Sequence, residues 1–116
     1  MKREYRLSNS KTFNYLYKRG KQAFTRQFIL IYSESKYPTL KVGVVASKKV
    51  GKAVVRNSVR RHLREAMGSL IPQIKNQYNI VIVAKPSIVE LSHQELIAAL
   101  HKCLLKNGLF KEEQDS

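Results

Sequence analysis

The sequence has one cysteine, Cys103, in 116 residues. An internal disulfide is therefore excluded. With no CxxC pair and no clustered His/Cys pattern, a zinc site is not expected either. Cys103 falls in a helical apolar pattern and reads as a buried thiol of a reducing compartment. Long hydrophobic runs are also missing, and the longest present are far too short to span a bilayer. Residues 1–6 are polar and lack the apolar core of a secretory signal. The expectation is a soluble, cytoplasmic protein that does not engage membrane. Gly51-Lys52 lacks the surrounding GxxxxGK(S/T) pattern, so a nucleotide-binding P-loop is not expected. No pair of acids recurs at metal-ligand spacing. The three histidines, His62, His93 and His101, read as polar helix-surface residues rather than as general bases. A catalytic site carried by the protein itself is thus not expected.

The scarcest commodity is negative charge. Eight Asp and Glu stand against 22 Lys and Arg, a net charge of +14. Three of the eight, Glu112, Glu113 and Asp115, crowd the last few residues. No acid lies between Glu34 and Glu65, a stretch that carries Lys36, Lys41, Lys48, Lys49, Lys52, Arg56, Arg60, Arg61 and Arg64. Such an excess opposes compaction through self-repulsion, and a polyanionic partner is the usual reason to carry it.

What is present suffices for one core, since 43% of residues are hydrophobic. We read a single RNA-binding domain over 1–116, with a basic arm at 1–7 and a polar tail at 111–116. Ser8, Asn9 and Ser10 offer cap oxygens for a first helix on which Phe13, Leu16 and Tyr17 share a face. Gly20 would stop it. Residues 21–24 predict a short extended segment, 27–33 a strand and 40–47 a second one. Their proximity suggests an antiparallel hairpin. A helix is predicted over 52–70, with Val55, Val59, Leu63, Ala66 and Leu70 as its buried stripe. Tyr78 to Ala84 reads as a central strand. Ser92 and Glu95 form a capping box for a last helix whose core face carries Leu96, Ile97, Leu100, Cys103 and Leu104. The order α-β-β-β-α-β-α predicts an α+β fold with helices packed on one sheet.

The helix after Gly51 carries the chemistry. Lys52, Arg56, Arg60 and Arg64 recur every four residues and stack along one line, with Asn57 and Arg61 beside it. Like charges at this spacing destabilise a helix, so they await a counter-charge. The planar guanidinium fork donates two hydrogen bonds at once to phosphate. Lys48, Lys49 and the N–H groups of the helix start add a phosphate seat. Phe13 and Tyr17 could be core, or a platform for stacking unpaired bases. Together with the Lys48–Lys52 turn and the basic helix they are expected to line one RNA-binding site.

The stretch Ser47-Lys48-Lys49-Val50-Gly51-Lys52-Ala53-Val54-Val55-Arg56-Asn57, followed by Arg60-Arg61, resembles the signature of the bacterial ribonuclease P protein component. Arg6-Leu7, Phe13, Tyr17, Arg26-Gln27-Phe28, Val42-Gly43 and Ala84-Lys85-Pro86 extend the resemblance over nearly the whole chain. It departs from the family at Ser58, often basic there, at Arg60, usually lysine, and at Ile31, often aromatic.

The resemblance implies a two-layer α/β sandwich, ribosomal protein S5 domain 2-like, with a left-handed β-α-β crossover. It implies that Lys48, Lys49, Lys52, Arg56, Asn57, Arg60, Arg61 and Arg64 meet the catalytic RNA subunit. It implies a cleft with Phe13, Tyr17, Arg26 and Ile31 for the single-stranded 5′ leader of precursor tRNA. The reaction would be hydrolytic release of the mature tRNA 5′ end, carried out by the RNA subunit with Mg2+, which is held mainly by RNA. Two competing readings are a ribosomal or general RNA-binding protein and a DNA-binding regulator. The second lacks a helix-turn-helix pair around 52–70, so DNA is not an expected partner.

Overall fold

The structure, a computed structural model, describes residues 1–111. Of the tail expected over 111–116, only Lys111 is among them, and it is exposed. The chain forms α1 (Ser10–Arg19), β1 (Lys21–Phe24), β2 (Phe28–Glu34), β3 (Lys41–Val45), α2 (Ala53–Leu70), β4 (Tyr78–Ala84) and α3 (His93–Lys106). Short 3-10 turns occupy Arg3–Tyr5, Ile71–Gln73 and Pro86–Glu90. The element order is the one predicted. Among the three candidate caps of α1, Asn9 takes the role, its side chain accepting from the Lys11 N–H at 2.9 Å. The capping box of α3 forms as expected. The Ser92 hydroxyl accepts from the Glu95 N–H at 3.1 Å, and Glu95 accepts from the Ser92 N–H at 2.9 Å. Those bonds to the charged form hold the Glu95 carboxyl below its ordinary range.

The strands lie in the order β1-β2-β4-β3. Here one expectation fails: β2 and β3 do not form a hairpin. β2 runs antiparallel to β1 and β4, and β3 pairs in parallel with β4 alone. The reason lies in β4. Ile80, Val81 and Ile82 are fully buried, so both faces of this strand need cover and both edges need partners. A β2–β3 hairpin would push it to an edge. Instead β3, α2 and β4 make a β-α-β unit and β4 inserts beside β2. The outer edge of β3 is covered by the N-terminal arm, where the Leu7 N–H donates to the Val42 carbonyl at 3.0 Å and Arg6 bridges Val42.

Alternate strand residues separate two cores. Phe28, Leu30, Val42, Val44, Ile80 and Ile82 pack with α2 and α3. Ile31 and Val81, on the other face, pack under Leu16 of α1. The sheet and the α2/α3 layer thus make the main sandwich, and α1 crosses the opposite face. The buried stripe of α2 is Val59, Leu63, Ala66, Met67 and Leu70. Val55, expected in that stripe, is 37% exposed, because it lines an open groove between the start of α2 and the Ile88–Leu96 segment. No helix among the described residues is long and apolar enough to cross a membrane.

Candidate nucleic-acid interface

The basic helix is held by its apolar stripe, and its opposite side is a ridge of cations. Arg56, Arg60 and Arg64 are half-buried, lying along the surface, while Lys52, Asn57 and Arg61 are exposed. Asn57 accepts a hydrogen bond from Arg60, which holds that guanidinium in place. The Nε of Arg56 is buried without a hydrogen-bond partner, so this side chain has donor capacity in hand. Burial, then the charges of Arg6 and Arg60, lower the Arg64 guanidinium from its ordinary value. The influence of Arg6 has no counterpart in the sequence reading: the N-terminal arm brings a further cation to the end of the ridge.

The turn into α2 brings three exposed lysines to a helix start. The Val50 N–H donates to the Ser47 carbonyl at 3.0 Å, and the Gly51 N–H to the Lys48 carbonyl at 3.2 Å. Gly51 has φ +152°, and a Cβ there would sit 3.1 Å from Val55 Cβ, so glycine suits the turn. Lys52, the cap residue, gives no side-chain acceptor to the first N–H groups of α2. Those donors stay available, with Lys48, Lys49 and Lys52 exposed around them.

On the other face, strand register arranges residues in rows. The first row runs Phe24, Ile29, Val83, Val45 across all four strands. The next runs Gln22, Ile31, Val81, Gly43, and α1 lies over it. Phe13 rests on bare backbone at Gly43, where a Cβ would come within 2.6 Å of its ring. Ile31 is only 3% exposed. It packs under Leu16 of α1, and its neighbour two residues back, Ile29, is the partly open one. The first row remains uncovered as an apolar strip, with Phe24 67% exposed. Phe13 and Tyr17 sit on the flank of α1 toward that strip by helical spacing. Burial raises the Tyr17 phenol above its ordinary value.

Cations rim the strip. Arg26 is exposed in the turn between β1 and β2. Lys85, just past β4, donates to the Thr25 carbonyl at 2.7 Å and lies 6.0 Å from the Phe24 ring centroid. Sequence reading missed Phe24, Ile29, Val45, Val83 and Lys85 as site residues. The period-2 alternation of β2 offered Ile29 and Ile31 equally, and only the position of α1 separates them. One correction concerns layout. Phe13 and Tyr17 do not share a wall with the α2 ridge, because α1 and α2 lie on opposite faces of the sheet.

A guanidinium ridge, a lysine-ringed helix start and a cation-rimmed apolar strip on one α+β sandwich define an RNA-binding class of protein. The family model described as Ribonuclease P matches residues 1–108. A ribonuclease P protein component of Oceanobacillus iheyensis is 34% identical over 116 residues, covering 99% of this chain and 96% of the relative. One from Streptococcus agalactiae is 35% identical over 109 residues, covering 94% and 99%. The solved RNase P protein of Staphylococcus aureus superposes with a TM-score of 0.83 at 26% identity, covering 92% and 98%. That of Thermotoga maritima, at 23% identity and a TM-score of 0.72, shares the fold over 94% and 98%. The chain belongs to the ribonuclease P protein family, and with it to the RNA-binding subunits of ribonucleoproteins that process tRNA.

Proposed function

We propose that α2 docks on the RNA subunit of ribonuclease P and that the apolar strip beside α1 receives the unpaired 5′ leader of precursor tRNA. In this reading the RNA subunit cuts the phosphodiester that frees the mature tRNA 5′ end. The protein raises substrate affinity. The observation that carries the reading is the pairing of two unlike surfaces on opposite faces, joined at the Lys48–Lys52 turn. The guanidinium ridge suits a folded RNA backbone. The apolar strip, with aromatic side chains and few hydrogen-bonding groups, suits unpaired bases of any sequence. A protein of charge +14 also offsets the repulsion between a catalytic RNA and an RNA substrate.

The described residues offer no group of three or more His, Cys, Asp or Glu side chains that could hold a metal ion. In the proposed reading Mg2+ sits on RNA oxygens, and the residues Lys48 to Arg64 act by holding phosphates in place.

Reconstitution tests this directly. The protein with its RNA subunit and a labelled precursor tRNA should release the leader at near-physiological magnesium, whereas protein alone should not. Cleavage by the protein alone, or no stimulation of the RNA, would sink the reading. Phe13→Ala should weaken precursor tRNA carrying a leader by about fivefold or more, the scale of a single base stack. Equal weakening on leaderless RNA would make Phe13 only a prop between α1 and Gly43.

A further inference from the structure

The face crossed by α1 has a third row, on the far side of the helix from the apolar strip. It is polar: Ser33, Asn79 and Lys41 are paired across β2, β4 and β3. This row floors a pocket of about 700 Å³ between α1 and the loop that joins β2 to β3. Its size falls within the roughly 300–1,000 Å³ of small-molecule sites. Arg6, Lys11, Lys36 and Lys41 line it, against one acid, Glu34. Two tyrosines also line it. Tyr15 reaches it from α1 and Tyr37 from the loop, and they are 56% and 70% exposed. The Ser33 hydroxyl oxygen is buried there without a hydrogen-bond partner.

We infer that this pocket binds an unpaired RNA nucleotide, its phosphate on the cations and its base against Tyr15 or Tyr37. The inference rests on the proposed function, since the RNA is that of the assembled ribonucleoprotein. Each part of the pocket answers one part of the ligand. Four cations about one acid suit a phosphate. Exposed rings on two walls supply stacking surfaces, which a merely solvated loop would not need. The Ser33 hydroxyl and the Asn79 amide can pair with a base edge or a ribose hydroxyl.

The site is separate from the leader strip. The two rows lie four residues apart along the strands, about 13 Å, with α1 between them. It is continuous instead with the α2 ridge. Arg6 lines the pocket, and its charge is also felt by Arg64 at the end of that ridge. An RNA backbone on α2 can thus turn around the edge of β3, past Arg6, into the pocket.

The test uses the holoenzyme reconstituted from the full chain and its RNA subunit. Lys36→Ala with Tyr37→Ala alters an exposed loop, and Tyr15→Ala alters the opposite wall. Affinity is measured for the RNA subunit and for precursor tRNAs with leaders of graded length. We expect each variant to lose about fivefold or more in one of these affinities. In the wild type, 4-thiouridine placed in the responsible RNA should crosslink to Tyr15 or Tyr37. Loss of RNA-subunit affinity assigns the nucleotide to that subunit, and loss confined to long leaders assigns it to the substrate. If both affinities are unchanged and no crosslink forms while wild-type leader dependence persists, the pocket is overturned and the proposed function stands. If the wild type shows no stimulation and no leader dependence, both fall together.

Discussion

Replacing Arg60 and Arg64 together with alanine is expected to weaken binding to the RNA subunit by about a hundredfold or more at moderate salt. Each side chain lies half-buried along the α2 ridge with its charge presented outward. A hydrogen bond to a charged group contributes about 1.5–3 kcal/mol, which is about tenfold or more for each. The salt dependence discriminates better than the affinity. For every phosphate that the variant no longer neutralises, the slope of log K against log salt should flatten by about 0.7–0.9. An unchanged slope would show that these guanidinium groups do not meet phosphate. Stability should move the other way or not at all. Arg56, Arg60 and Arg64 repel one another at i, i+4 spacing, and relieving that costs the free protein nothing. A variant that binds poorly while melting at the wild-type temperature is therefore the expected result. A large drop in melting temperature would instead mean that the arginines hold the fold.

Leu63→Ala should do the reverse, lowering stability first and binding second. Leu63 is fully buried in the stripe that ties α2 to the sheet, about one turn from Arg60 and next in sequence to Arg64. Truncating a buried leucine costs about 2–5 kcal/mol. For a domain of ordinary stability, about 5–15 kcal/mol, that is a substantial share. A shift of the denaturation midpoint at constant slope should report it. RNA in excess should restore much of that stability, because it binds only the folded ridge. A cost under about 1 kcal/mol would mean that the α2 stripe is not what fixes the arginine array.

The two experiments separate the functions of one helix. Its inner side sets where the charges stand, and its outer side meets the partner. Both sides are legible in the sequence because α-helical periodicity is local. The spacing of Arg56, Arg60 and Arg64 against Val59, Leu63, Ala66 and Leu70 needs only about 3.6 residues per turn. The capping box at Ser92 and the apolar run of β4 are legible for the same reason. Val55 departs from its expected burial because periodicity says which side a residue faces, not whether a neighbouring element packs closely enough to cover it.

Strand pairing is harder to read. β2 and β3 are separated by a short loop, and nearness in sequence favours joining them. The outcome turns on a distant segment, β4, which lies beyond the whole of α2 and whose two apolar faces demand the centre of the sheet. Such competition among distant segments leaves no local trace.

The sequence by itself determined the charge, the arginine ridge, the capping signals and the kind of partner, since each depends on composition or on residues a few positions apart. Its scarcity of acids already pointed to a polyanion before any element was placed. The tertiary structure decided how that charge is divided. It set α1 across one face of the sheet and α2 on the other. It sealed Ile31 and left Ile29 open, and it carried Arg6 from the N-terminal arm to the end of the ridge. These are relations between segments far apart in the chain, and only the packing of the whole sheet could fix them.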